Sequence, residues 1–161
     1  MGLSAKLADI NTSQEILRYL QSRRSEMIAF LKMLVSTETP SSVPQMQQPL
    51  FEQLMEKLKN LGYYTLRIPG RRTGGYLYAR PQSRPHGCSA QLLIGHCDTV
   101  WEPGTLKEMP LRKEGKRLRG PGVYDMKAGL TQILFALEAL NQLGLTPPVC
   151  PVVFINSDEE I

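Results

Sequence analysis

The sequence contains little cysteine, with three in 161 residues and no Cys-x-x-Cys pair. Cys88, Cys97 and Cys150 are odd in number and far apart along the chain. This pattern argues against the even, closely spaced cysteines of a disulfide framework and against the paired thiolates of a structural zinc site. We therefore expect a reducing compartment, the cytoplasm, as the location of the protein.

Long hydrophobic runs are also absent, because no stretch approaches the roughly 20 apolar residues that span a bilayer. The N-terminal residues lack the apolar segment of a secretory signal. The net charge is +4, and the basic residues are scattered rather than arranged in a stripe interleaved with aromatics. We therefore expect neither a membrane nor a nucleic acid as a partner.

What is present indicates an ordinary globular domain. Hydrophobic residues make up 42% of the chain and charged residues 21%, which suffices to bury the core of one domain. Thr12-x-x-Glu15 resembles a capping box, and the apolar spacing after it predicts a helix that ends before Pro40. The spacing of leucines predicts a second helix over residues 45–61, with Gly62 at its C-terminal end.

The rest of the chain alternates predicted strands with one long helix. Strands are predicted in four short segments, namely "YYTLRI", "GGYLYAR", "AQLLIG" and "VCPVVFIN". The run "AQLLIG" is typical of a strand buried on both faces. A helix over residues 126–143 lies between the last two strands, which indicates a βαβ unit. The predicted fold is α/β, a three-layer sandwich with a mostly parallel or mixed sheet covered by helices.

Polar residues follow the predicted strands at the places where ligands bind to open α/β sheets, beyond the carboxyl ends of the strands. The segment "GHCDT" follows one strand, "NSDEE" follows another, and "GPGVYDMK" precedes the long helix. We expect the three segments to meet at one rim of the sheet, and this convergence carries more weight than any single motif.

His96 and Asp98 form a His-x-Asp pattern that fits two roles. A histidine after a strand commonly has a structural role only. In an extended segment, however, residues i and i+2 point the same way. Asp98 can therefore accept a hydrogen bond from the His96 ring nitrogen that faces away from a metal, which is how many metal-binding histidines are oriented.

The remaining acidic residues also fit two roles each. Asp125 suits either an N-cap of the long helix or a carboxylate directed into a cleft by Gly120 and Gly122. Glu159 and Glu160 suit either a solvated strand end or a cation site, because consecutive carboxylates repel one another. Imidazole and carboxylates without thiolates suit zinc, with cobalt or manganese as alternatives. A carboxylate between two ions about 3.5–4 Å apart is the two-metal hydrolase arrangement.

Three motifs in register, "GHCDTV", "GPGVYDMKAG" and "FINSDEEI", resemble the co-catalytic zinc metallopeptidases of the glutamate carboxypeptidase and aminoacylase type. The carboxypeptidase G branch is especially similar, because the intervening "WEPGTLKEMPLRKEGKRLRGPG" resembles it too. The similarity covers nearly the whole chain, including "ETPSS". It implies that residues 1–161 are the N-terminal part of the catalytic, metal-binding domain, without the lid and dimerisation domain.

The resemblance also implies a role for each site residue. His96 is implied to bind one metal ion, Glu160 a second, and Asp125 to bridge both. Glu159 is implied to be the general base, which takes a proton from the attacking water and passes it to the leaving amine. Asp98 is implied to be the residue that orients His96. Two zinc ions are expected in the full-length protein.

The implied function is that of a zinc-dependent, carboxypeptidase-like metallopeptidase or amidohydrolase. Its substrate is an amino-acid, N-acyl amino-acid or small peptide amide, and the full-length protein is expected to be a homodimer. The family also implies a cis peptide bond between Asp125 and Met126. Because further ligands lie downstream in that family, we expect residues 1–161 alone to be inactive. A non-catalytic fragment or binding module, and a two-metal phosphoesterase, are the alternatives.

Overall fold

The structure is a computed structural model that describes residues 3–84 and 86–161. Its α-helices are α1 (Leu3–Ser22), α2 (Arg24–Ser36), α3 (Gln48–Asn60), α4 (Thr105–Glu108) and α5 (Ala128–Gln142). Its strands are β1 (Tyr63–Ile68), β2 (Tyr76–Pro81), β3 (Ala90–His96), β4 (Arg112–Glu114), β5 (Arg117–Arg119) and β6 (Cys150–Asn156). A 3-10 turn at Pro44–Gln47 precedes α3, and a π-helical turn at Val123–Lys127 precedes α5.

The N-terminal helices differ from the prediction at their boundaries. Helix α1 runs through Thr12 and Glu15, so the predicted capping box at a helix start is wrong. The residues before Thr12 include two leucines, two alanines and one lysine, which favour helix without a cap at that point. The helical run is also interrupted at Arg23. The second predicted helix is present as α3, and Gly62 follows it with a positive φ of 78°.

The main sheet is mixed, in the strand order β1-β2-β6-β3. Strands β1 and β2 pair antiparallel, as do β2 and β6, whereas β3 and β6 pair parallel. The β3–α5–β6 segment is the predicted βαβ unit. Among the strands of the main sheet that the structure describes, the parallel pair is β3 and β6, which lead into the candidate site. Of the two sheet types that the sequence left open, the mixed one is present.

A helical layer packs on one face of this sheet and forms the core with it. The core includes side chains of less than 2% exposure from α3, α5 and two strands, β2 and β6, namely Leu54, Leu58, Leu130, Leu134, Leu77, Val153 and Ile155. Each fully buried leucine contributes about 1.5–3 kcal/mol by leaving water. None of the described helices is long and apolar enough to cross a membrane.

Strand β3 is an edge strand and is buried on one face only among the described residues, so the expectation that "AQLLIG" is buried on both faces is wrong. Leu92 and Ile94 are 54% and 63% exposed, whereas Leu93 packs against the core. Within residues 3–84 and 86–161, no strand pairs with β3 on the side away from β6. On the covered face, a Cβ atom at Gly95 would lie 2.8 Å from Leu130 Cδ2, so α5 packs close to β3 next to the site.

Candidate active site

The parallel pairing of β3 with β6 brings two of the predicted motifs together. His96, the last residue of β3, is in register with Asn156, the last residue of β6. The pairing continues one residue further, because the Cys97 amide donates a hydrogen bond of 2.9 Å to the Asn156 carbonyl oxygen. The segments that follow the two strands therefore lie side by side at one rim of the sheet, as predicted.

The imidazole of His96 has at least one carboxylate close to each of its ring nitrogens. Its Nε2 atom is 2.9 Å from Asp125 Oδ1 and 4.0 Å from Glu159 Oε2. Its Nδ1 atom is 3.3 Å from Asp98 Oδ1. The hydrogen bond with Asp98 raises the pKa of His96, whereas burial acts to lower it. With the further contributions of Asp125 and Glu159, the pKa of His96 is raised to about 9.

Three potential ligand groups cluster at the rim. One ligand atom each from His96, Glu159 and Glu160 lies within 4.8 Å of the others, and Asp125 joins the group through its contact with His96. Burial, and then the charge of Asp125, raises the pKa of Glu160. The donor set of one imidazole and several carboxylates fits a divalent cation, which would relieve this repulsion between acidic groups.

Asp98 does more than orient His96, because it also binds the backbone that carries the two glutamates. The Glu159 amide donates to Asp98 Oδ1 at 3.3 Å and the Glu160 amide to Asp98 Oδ2 at 3.1 Å. Ser41 Oγ donates to Oδ2 at 2.7 Å. Burial acts to raise the pKa of Asp98, but hydrogen bonds from His96, Ser41 and the two amides outweigh it and lower the pKa to about 2.

Ser41 is a site residue that sequence reasoning missed. Its hydroxyl is buried against Asp98, and its amide donates to the Thr99 carbonyl oxygen at 3.0 Å. The available signal was the segment "ETPSS", which contributes to the family resemblance but was interpreted only as the end of a helix. Nothing in the local sequence indicates that this serine lies next to a carboxylate 57 positions later.

Asp125 is presented by a special backbone path rather than by a helix start. It lies in the π-helical turn with φ −115° and ψ 108°, and α5 begins three residues later at Ala128. The N-cap alternative for Asp125 is therefore wrong. Gly122 has a φ of 66°, and a Cβ atom there would lie 2.7 Å from Thr99 Cγ2, so a larger residue would not fit. The Asp125–Met126 peptide bond is cis, which confirms the expectation from the resemblance.

A buried lysine ties this turn to the segment that contains Ser41. Lys127 is 2% exposed, and its ammonium donates to the Thr37 carbonyl oxygen at 2.7 Å. Burial lowers the pKa of Lys127 to about 8. The neighbouring Glu38 accepts hydrogen bonds from the amides of Gly104 and Leu106, both at 2.8 Å. Sequence reasoning missed this support, because its contacts join segments far apart in the chain.

The other residues considered at the sequence level lie outside the cluster. Asp158 Oδ1 accepts a hydrogen bond from Asn156 at 3.2 Å. Cys97 is buried, and burial raises the pKa of its thiol. His86 lies in an exposed turn of the β2–β3 loop.

Comparison with known proteins relates this rim to one family. Residues 92–161 match the sequence profile of Peptidase family M20/M25/M40. Carboxypeptidase G2 of Pseudomonas sp. (strain RS-16) is 33% identical over 136 residues, which cover 83% of this chain and 32% of that protein. Acetylornithine deacetylase of Salmonella arizonae (strain ATCC BAA-731 / CDC346-86 / RSK2980) is 32% identical over 127 residues, covering 76% and 32%.

Solved structures show the same fold. The crystal structure of human carnosine dipeptidase 1 superposes with a TM-score of 0.73 at 20% identity, covering 89% of this chain and 34% of that one. The chain spans 32% of the length of each curated relative above. Residues 92–161, which match the profile of Peptidase family M20/M25/M40, contain His96, Asp98, Asp125, Glu159 and Glu160.

Proposed function

We propose that this chain forms part of a zinc-dependent, carboxypeptidase-like metallopeptidase or amidohydrolase. The substrate is an amino-acid, N-acyl amino-acid or small peptide amide. The observation that carries the proposal is the approach of His96 Nε2 to Asp125, Glu159 and Glu160 at one rim. The names of the relatives support it, because a carboxypeptidase, a deacetylase and a dipeptidase all hydrolyse amide bonds.

The residues at the rim divide into metal ligands and a base. We assign His96, Asp125 and Glu160 as ligands, with Asp125 shared between two zinc ions, and keep cobalt and manganese as alternatives. When bound, zinc supplies a Lewis acid for the scissile carbonyl group and lowers the pKa of water to about 7. Asp98 holds Nδ1 of His96, which fixes the tautomer and leaves Nε2 free to bind.

Glu159 is the group best placed to move the proton. Its side chain is 58% exposed and so can reach both solvent and a bound substrate. Its neighbour Glu160 is half-buried in the turn that follows β6, so Glu160 can hold an ion while the more exposed Glu159 contacts the attacking water. Glu159 accepts the proton of that water and then donates it to the leaving amine.

The test separates these two glutamates in the longest reading frame that carries this sequence. Glu159→Gln is expected to lower kcat by about 10²–10⁴ while zinc content stays unchanged. Glu160→Gln is expected to lower zinc content, and Asp158→Asn is the matched control that should change neither. Loss of zinc in Glu159→Gln with none in Glu160→Gln would reverse the assignment, and full activity in both variants would refute the proposed function.

Residues 1–161 alone are expected to show no peptidase turnover with added zinc. Within residues 1–161, each ion would have two protein ligands, Asp125 and one further side chain, whereas a catalytic zinc site has three protein ligands. Turnover by the 161-residue chain that is lost in Glu159→Gln would overturn this expectation. The same proposal includes a lid and dimerisation domain outside residues 1–161, a homodimeric assembly and a cytoplasmic location.

A further inference from the structure

The end of the β3–β6 pair that is remote from the rim carries two cysteines that the proposed reaction does not use. Cys150 is the first residue of β6, and Cys88 lies two residues before β3. The Cys150 amide donates a hydrogen bond of 2.7 Å to the carbonyl oxygen of Ser89. The residue next to Cys88 is thus bonded directly to Cys150, about 20 Å along the strands from the rim.

The two thiols meet at the surface of one cavity. Cys88 Sγ donates a hydrogen bond of 3.4 Å to the carbonyl oxygen of Ser89, the same atom that accepts from the Cys150 amide. Both cysteines line a cavity of about 600 Å³ between the β2–β3 loop and the end of α5. Cys88 is half-buried, so small solutes can reach its sulfur, whereas Cys150 is buried behind it. Both thiols are free.

A cation lies beside this pair. Arg84 Nη2 donates to the Cys88 carbonyl oxygen at 3.0 Å, and Arg84 lines the same cavity as both cysteines. The neighbouring Cys88 thiol and burial raise the pKa of Cys150, so the more accessible Cys88 is the sulfur that meets an oxidant first. Two thiols at the same place on the surface, one of them accessible to a small oxidant, form an arrangement in which a dithiol can be oxidised to a disulfide.

We propose that Cys88 and Cys150 are a redox-active pair that peroxides convert to a disulfide. The bond would link the β2–β3 loop to the first residue of β6. The closed loop would contain β3, the rim residues His96 and Asp125, and α5. Oxidation would therefore constrain the whole βαβ unit that carries the candidate active site, without touching a site residue.

The chemistry balances with hydrogen peroxide as the oxidant. The Cys88 thiolate attacks one peroxide oxygen, the O–O bond breaks, and sulfenic acid and hydroxide form. The Cys150 sulfur then attacks the Cys88 sulfur, and the sulfenic hydroxyl leaves as water with the Cys150 proton. The hydroxide takes up the proton that Cys88 lost. Two thiols lose two electrons, and the peroxide is reduced to two waters.

Peptide mapping of the 161-residue chain tests this pairing. Trypsin does not cleave before Pro81 or Pro85, so Cys88 and Cys97 lie together in the peptide of residues 73–107. Cys150 lies in the peptide of residues 128–161. After treatment with limiting peroxide, we expect these two peptides to be linked in a monomeric chain. The Cys97→Ser variant makes the assignment unambiguous, and fragmentation of the linked wild-type peptide assigns the sulfur if that variant fails to fold.

The expected link is present in the wild type and in Cys97→Ser, and absent in Cys88→Ser and Cys150→Ser. It should raise Tm by about 10 °C because it closes a long loop in the unfolded chain, and dithiothreitol should reverse the rise. A link that persists in Cys88→Ser would overturn the proposal. So would oxidation that gives only intermolecular dimers or Cys88 sulfonic acid.

Discussion

Two buried carboxylates, one at the rim and one in the helical layer, show how differently the same group is used in this protein. Asp98 is 1% exposed and accepts hydrogen bonds from His96, Ser41 and two backbone amides. Glu138 of α5 is 6% exposed and accepts a hydrogen bond of 2.9 Å from the Tyr19 hydroxyl.

Glu138 differs in having cationic partners. Arg23 Nε lies 3.3 Å from its Oε1 atom, and the Lys57 ammonium is hydrogen-bonded to Oε2. The charge of Glu138 is thus compensated by side chains from neighbouring helical elements. At the rim, the described residues place four acidic side chains around one imidazole, with no lysine or arginine paired to them. In the helical layer, neighbouring cationic side chains balance the acidic charge, whereas the acidic charge at the rim favours the binding of a cation from solution.

The largest expected effect is that of Asp125→Ala on the proposed enzyme. If Asp125 is shared between two ions, its loss should remove both metals and abolish activity. Metal content measured by mass spectrometry, alongside turnover, checks this. Two bound zinc ions per subunit in Asp125→Ala would rule out a shared ligand. Glu138→Gln is the control that should keep both metals.

Replacing Asp98 with asparagine should have a smaller effect on metal binding. Asparagine keeps the size of the side chain but removes the charge that orients the His96 imidazole, so zinc affinity should fall about 10–100-fold. Isothermal titration calorimetry of the metal-free enzyme measures this change. Unchanged affinity would show that Asp98 supports only the backbone of Glu159 and Glu160.

Glu138→Gln should instead act on stability and leave zinc affinity unchanged. Glutamine can keep the hydrogen bond with Tyr19, but it loses the charge that pairs with Lys57 and Arg23. We expect the free energy of unfolding to fall by about 1–2 kcal/mol. Urea denaturation measures this fall. If Glu138→Gln lowered zinc affinity as much as Asp98→Asn does, the helical layer and the rim would be coupled, which would contradict the comparison.

The smallest expected effect is on the pH dependence of stability. Burial acts to raise the pKa of Glu138, but hydrogen bonds from Lys57 and Tyr19 and the charge of Arg23 outweigh it and lower the pKa. A lowered pKa in the folded state stabilises the protein above the unfolded pKa of about 4.3, and the contribution is lost as the pH falls through the folded pKa. Denaturation between pH 6 and pH 3 should therefore show a shallower acid decline in Glu138→Gln than in the wild type. Identical slopes would contradict this prediction.

The sequence by itself determined the features that depend on neighbours in the chain. The strand and helix periodicities placed β1, β2, β6 and α5 within a few residues of their positions. The i, i+2 relation of His96 and Asp98 follows from an extended backbone, and the order of strand and helix predicted the parallel pairing that brings the two strand ends together.

Only the tertiary structure decided the features that depend on which segments meet. It packed the helical layer on the face of β3 that carries Leu93, so Leu92 and Ile94 on the opposite face are exposed although the run is apolar throughout. It also brought Ser41 to Asp98 and buried Lys127. The physical reason is that periodicity reports which side of an element is apolar, whereas the free energy of a distant contact depends on a partner whose position the local sequence does not specify.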